Sequence, residues 1–97
     1  MARFEVFPID GMMVVEVQAD ILDHLSTRVV IPLLEAGKAP PPVSRLHPRF
    51  TIESRDYVMA THLLTAVPAA QLLRCQHSLA NRHDDITAAL DMLFQGF

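Results

Sequence analysis

The chain has 97 residues, 51% of them hydrophobic, and carries a formal net charge of -3 with a sequence pI near 5.9. That length suits a single domain with a modest core, and the scattered basic residues argue against a partner held through clustered Lys and Arg, as nucleic-acid binding would require. The apolar runs are too short and interrupted to span a membrane, no basic-then-apolar leader opens the chain, and a lone Cys75 excludes an internal disulfide and suits a reducing cytoplasm.

The first seventy residues read as β-structure. RFEVF (3–7) alternates, with Phe4 and Val6 on one side, and Pro8-Ile9-Asp10-Gly11 supplies a turn. MMVVEVQAD (12–20) follows, with Met13, Val15 and Val17 on one face and Val14, Glu16 and Gln18 on the other. Together they predict a hairpin. RVVIPLL (28–34) predicts a third strand buried on both faces, which should end, bulge or lie at an edge at Pro32, a residue with no N–H to give. GKAPPP (37–42) predicts a stiff surface loop. RFTIES (49–54) and DYVMATHLL (56–64) alternate again and predict a second hairpin across Ser54-Arg55. Val67-Pro68 punctuates the chain, and AAQLLRCQ (69–76) fits a strand or a helical turn equally.

ANRHDDITAALDMLFQGF (80–97) predicts a helix with Asn81 as N-cap and Asp84 and Asp85 in the first turn, where the helix dipole favours negative charge. Ile86, Leu90, Leu93 and Phe97 recur at spacings of four, three and four and make one amphipathic stripe, flanked by Ala89 and Phe94. Gly96 stands where a helix end needs positive φ. Five large apolar side chains fall within Leu90–Phe97, so this tail either packs on its own core or is received by a partner. The mean hydropathy of +0.25 is high for so small an interior, and the surplus predicts a homodimer with its C-terminal helices near the two-fold axis. The architecture expected is one small antiparallel β-domain, residues 1–97, closed by a C-terminal helix: mainly β, of the α+β class.

Residue chemistry points away from catalysis. Histidines 24, 47, 62, 77 and 83 occur in no HExxH motif and never at i, i+4 with another ligand, so they read as scattered surface residues and no metal site is expected. Cys75 and His77 are two apart, but a buried structural thiol is the commoner case. Glycines only at 11, 37 and 96 leave no phosphate-cradling loop, and no cofactor is expected. This pattern describes a binding protein.

Several stretches together carry a family resemblance. VEVQADILD (15–23), RVVIPLL (28–34), VSRLHP (43–48), Met59…Thr61…Val67-Pro68 and NRHDDITAALDMLFQGF (81–97) resemble the CcdB toxins, in the same order over nearly the full chain. The resemblance implies a non-catalytic bacterial toxin of a type II toxin–antitoxin module for plasmid maintenance, cytoplasmic and homodimeric. It implies an SH3-like barrel of the CcdB/MazF type with a C-terminal helix. It further implies that the dimer binds the A subunit of DNA gyrase, traps the cleaved-DNA complex, and is neutralised by a disordered CcdA-like antitoxin tail. By the same resemblance, Ile21, Leu22, Asp91, Gln95, Gly96 and Phe97 are the gyrase-binding residues, and Gln95 stands at the position of the family's tryptophan. Two alternatives follow. One is a CcdB-fold protein that dimerises and binds antitoxin without poisoning gyrase. The other is a MazF-like endoribonuclease, for which Arg28 and Arg45 are the candidate phosphate ligands.

Overall fold

The computed structural model describes residues 2–39 and 43–97, so the Pro40–Pro42 part of the expected loop lies outside the described residues. Strand β1 (Glu5–Ile9) pairs antiparallel with β2 (Met12–Glu16), Val6 opposite Val15 and Ile9 opposite Met12. Only Asp10 and Gly11 make the turn, with φ of 49° and 80°. This two-residue geometry matches the twist of a hairpin. Pro8, expected in the turn, instead sits inside β1 opposite Met13. Its missing N–H faces away from β2, on the side where β1 has no partner beyond Val6.

Strand β3 (Thr27–Glu35) is the spine of the sheet. One edge pairs with β2, Met13 opposite Leu33 and Glu16 opposite Val30. Its other edge is shared: β6 (Thr65–Pro68) covers Thr27–Val30 and β5 (Arg55–Met59) covers Leu33–Glu35. Pro32 lies between these two partners. Its carbonyl accepts the Ala60 N–H at 2.9 Å, so its backbone points into the changeover. The strand therefore neither ends nor bulges at the proline, because the absent donor falls where one neighbour hands over to the next.

The second hairpin, β4 (Arg49–Ile52) with β5, forms one residue earlier than expected. Glu53 and Ser54 take the turn at φ 52° and 66°, a two-residue loop built without glycine. The expected strand over 56–64 stops at Met59, since Thr61–Leu63 winds into a 3-10 turn and the chain returns along β3 as β6. Val67-Pro68 is thus the end of a strand. Of the ambiguous 69–76 segment, Ala69–Gln71 is a 3-10 turn leading towards β7 (His77–Ser78), which pairs with Glu5 and Val6.

The strand order β4-β5-β3-β2-β1-β7, with β6 beside β3, wraps into a nearly closed barrel. Its seam lies between β4 and β7. Arg82 bridges it, donating to the Arg49 carbonyl at 3.3 Å with its guanidinium 4.7 Å from the centre of the Phe50 ring. The main core holds Val6, Val15, Val17, Ile31, Phe50 and Met59, and Ile86 and Ala89 of helix α1 (His83–Gln95) close it. The opposite face of the sheet carries a smaller cluster of Phe7, Val14, Val30 and Leu72. Both faces of β3 are therefore buried, which accounts for its nearly unbroken apolar sequence.

Next to the smaller cluster lies a buried ion pair, Arg28 Nε to Glu16 Oε2 at 3.6 Å. Arg28 also donates to the carbonyls of Leu25 (2.6 Å), Thr27 (3.1 Å) and Asp23. Burial pushes the Glu16 carboxyl above its ordinary pKa, and the Arg28 charge opposes that rise. Removing either partner strands the other charge in the interior, which costs about 3–5 kcal/mol. The sequence placed Arg28 among possible RNA ligands. The fold uses it to hold the 23–27 connection.

Candidate functional site

The site residues named from the sequence fall on two segments. Asp91, Gln95, Gly96 and Phe97 lie at the C-terminal end of α1, and Ile21 and Leu22 lie in the 3-10 turn Asp20–Leu22. Helix α1 starts differently from the expectation. Asn81 belongs to a preceding 3-10 turn, Ala80–Arg82, and Arg82 is the capping position with no side-chain cap bond. Asp84 and Asp85 do occupy the first turn, and Arg82 Nε bonds Asp85 Oδ2 at 2.7 Å. The dipole is thus stabilised by charge where a cap is missing.

The far end follows the expectation. Gly96 adopts φ 80° and its N–H bonds the Met92 carbonyl at 3.0 Å, which stops the helix. That left-handed residue also redirects the chain. Phe97 would extend the Ile86–Leu90–Leu93 stripe if the helix continued, but past Gly96 it leaves the stripe and stands 70% exposed. Phe94 is 68% exposed. The tail does not fill its own core.

Asp91, Phe94 and Gln95 share one helical face, at spacings of three and four. Gln95 Nε2 lies 3.5 Å from Asp91 Oδ1, a long contact that leaves both groups able to turn to a partner. The surface is therefore two uncovered aromatic rings beside an acid–amide pair. Beneath it the helix rests on the Thr61–Leu63 turn, where Thr61 is fully buried and Leu63 is exposed.

Ile21 is 83% exposed, more than Phe94 or Phe97, and Leu22 is also exposed. Their turn is tied to the N-terminal segment: Arg3 N–H donates to Asp20 Oδ1 at 2.8 Å, and Gln18 Nε2 to the Leu22 carbonyl at 3.0 Å. Helix α1 packs on the barrel core through Ile86 and Ala89 and also contacts the Thr61–Leu63 turn, while the Phe4 ring lies 6.2 Å from that of His83.

A profile of the CcdB protein family matches residues 3–96 of this chain. The chain belongs to the CcdB family. CcdB proteins are toxins of toxin–antitoxin modules, and this chain is of that class. The near-closed antiparallel barrel with one C-terminal helix agrees with that membership.

For a CcdB-family chain, the remaining chemistry-bearing residues sort into structural roles. An open cleft of ≈ 410 Å³ at the seam gathers Arg49, Thr51, Asp56, His77 and Arg82. Its groups already engage one another: Thr51 Oγ1 donates to Asp56 Oδ1 at 2.7 Å, and Arg82 is committed to Asp85, the Arg49 carbonyl and the Phe50 ring. Cys75, expected to be buried, is exposed, and its thiol donates to the His77 carbonyl at 3.3 Å. Partial desolvation, with the Glu5 carboxylate second, pushes that thiol's pKa up, the opposite of an activated nucleophile. Arg28 is sealed beside Glu16, while Arg45 is exposed at φ 70°. Among the described residues, no three His, Cys, Asp or Glu side chains gather as a metal centre, and no helix is long and apolar enough to cross a membrane.

The histidines, expected to be scattered on the surface, include one close pair: His47 is buried and its Nε2 lies 2.9 Å from Nδ1 of His62. Fifteen residues separate them, so no local spacing announces the pair. The exposed Leu63 and Phe94 were also outside the named site. Phe94 could have been found, because it lies off the Leu90–Leu93 stripe and on the Asp91–Gln95 face.

Proposed function

We propose that this chain is a homodimeric toxin that binds the A subunit of DNA gyrase, traps its cleaved-DNA complex, and is relieved by a CcdA-like antitoxin. The observation that carries the reading is the uncovered end of α1, where Phe94 and Phe97 are exposed beside Asp91 and Gln95. Large aromatic groups on a polar-rimmed protrusion are the anchors that protein interfaces favour. Ile21 and Leu22 supply a second apolar point of contact, and Gly96 permits close backbone approach. The same uncovered side chains, with Leu63, support dimerisation through the region around the C-terminal helices. Light scattering at micromolar concentration should give twice the 10.8 kDa chain mass; a clean single-chain mass would sink the dimer.

Gyrase poisoning is tested with purified gyrase in supercoiling and DNA-cleavage assays. Deleting Gln95–Phe97 should abolish inhibition while leaving melting and antitoxin binding nearly unchanged. Gln95→Trp should strengthen inhibition, because an indole buries more area and stacks on guanidinium groups, which an amide does poorly. If neither the wild type nor Gln95→Trp produces a cleavage complex, gyrase is not the target. That result would favour the second reading, a CcdB-fold protein that keeps dimer and antitoxin binding alone, which Gln95 in place of the family's tryptophan supports.

A further inference from the structure

The His47 ring is held from two sides. The His47 N–H donates to the Val43 carbonyl at 2.9 Å, and the Val43 N–H donates back to His47 Nδ1 at 2.8 Å. A backbone N–H can only donate, so Nδ1 must present a lone pair and the neutral ring carries its proton on Nε2. That Nε2 faces His62 Nδ1 at 2.9 Å, the two rings meeting edge-on with centroids 4.9 Å apart at 67°. His62 Nδ1 must therefore accept, which places the His62 proton on its own Nε2.

The relay from Val43 through His47 to His62 is satisfied in one state only: both rings neutral, each in a single tautomer. A proton added to His47 Nδ1 opposes the Val43 N–H. A proton added to His62 Nδ1 sets two N–H groups against each other. A metal ion bound at His47 Nε2 meets the same obstacle, since it would drive the ring proton onto Nδ1. The site is arranged for proton control.

Among the described residues the surroundings supply the pair no counter-charge, though His62 itself is exposed to solvent. Leu34 of β3, Ala39, Val58 of β5 and Ala60 line the small cavity around the pair, and none of them titrates. Of the charged residues close by in sequence, Glu35 and Lys38 are exposed and pair with each other, and Arg45 is exposed. Pro40–Pro42, between Ala39 and Val43 in the chain, have no titratable group. A second, non-titrating link runs beside the histidines: Thr61 Oγ1 donates to the Leu46 carbonyl.

We propose that His47 and His62 form a proton-released latch: with both rings neutral they hold the Val43–His47 segment on the Thr61–Leu63 turn that supports α1, and mild acid opens it. Burial in the first place, and the neighbouring His62 in the second, keep the His47 pKa below the ordinary 6.5 of an imidazole. The unfolded chain then takes up its proton first. The stabilisation is complete above 6.5 and is lost as pH falls from there towards the lower folded value. The latch is independent of whether the tail of α1 meets gyrase.

Histidine ¹⁵N spectra and amide exchange of the full chain at about pH 7.5 and about pH 5.5, either side of the imidazole range, test it. At the higher pH His47 should show a protonated Nε2 and a bare Nδ1. On acidification, exchange at the Val43 and His47 amides, corrected for the intrinsic rate, should rise several-fold relative to Ile31. His62→Gln keeps an acceptor for His47 Nε2–H that cannot be protonated, so it should preserve protection at the higher pH. Equal exchange at both pH values in the wild type overturns the latch, as does a proton on His47 Nδ1. So does a His62→Gln variant that folds but has lost protection at the Val43 and His47 amides at the higher pH. If that variant fails to fold, the wild-type spectra decide by themselves.

Discussion

The two ends of α1 use the same kind of side chain for opposite purposes. At Ile86 and Ala89 apolar groups are wholly buried against the barrel, whereas two turns later Phe94 and Phe97 stand in solvent. The change is geometric. The barrel face beneath the helix reaches Leu90 and Leu93, which are partly covered, and Gly96 then turns the chain off the helical path. Amphipathic spacing therefore marks which side of a helix is apolar, but how far along its length a core extends depends on what lies underneath.

The largest effect should come from the buried end. Ile86→Ala removes a fully buried side chain at the barrel–helix contact and should lower stability by about 2–5 kcal/mol in urea unfolding. An unchanged midpoint would mean that the helix does not close the core. Leu90→Asp places a carboxylate at the half-covered middle of the stripe and should cost about 1–3 kcal/mol, between the two extremes. A loss as large as that of Ile86→Ala would extend the buried region to this position.

At the uncovered end, Phe94→Ser and Phe97→Ser should each leave unfolding within about 0.5 kcal/mol of wild type, as exposed substitutions do. They should weaken any partner that docks there, read as a rise in the concentration needed for gyrase inhibition. Destabilisation beyond about 1 kcal/mol, the typical effect of a substitution that removes native packing, would show that the rings are packed after all. The smallest effect belongs to Gln95→Ala. It removes a 3.5 Å contact to Asp91, and helical pairs of this spacing contribute only about 0.2–0.5 kcal/mol even when well formed. A larger change in melting would give the amide a structural role.

Much of the fold was legible in the residues. Asp10-Gly11 between alternating runs specifies a hairpin, the apolar run around Val29–Leu33 specifies a strand buried on both sides, and Gly96 marks the helix end. These signals are local, because a turn that needs positive φ or a face that must avoid water leaves its mark within a few residues. The Ser54-Arg55 turn was misplaced by one residue because Glu53 and Ser54 adopt left-handed φ without the glycine that usually announces it. The family's tail positions could likewise be named from the sequence. Their exposure could not.

By itself, then, the sequence determined the first three strands, the second hairpin to within a residue, the C-terminal helix and its stop, all written in local periodicity and turn chemistry, and its matched stretches carried the family resemblance. Only the tertiary structure decided that Pro32 sits at a change of strand partner, that Arg28 is sealed against Glu16, that His47 meets His62, and that Phe97 escapes the core. Each of those outcomes depends on which distant segment arrives beside the residue, and burial, charge pairing and protonation follow from that neighbour.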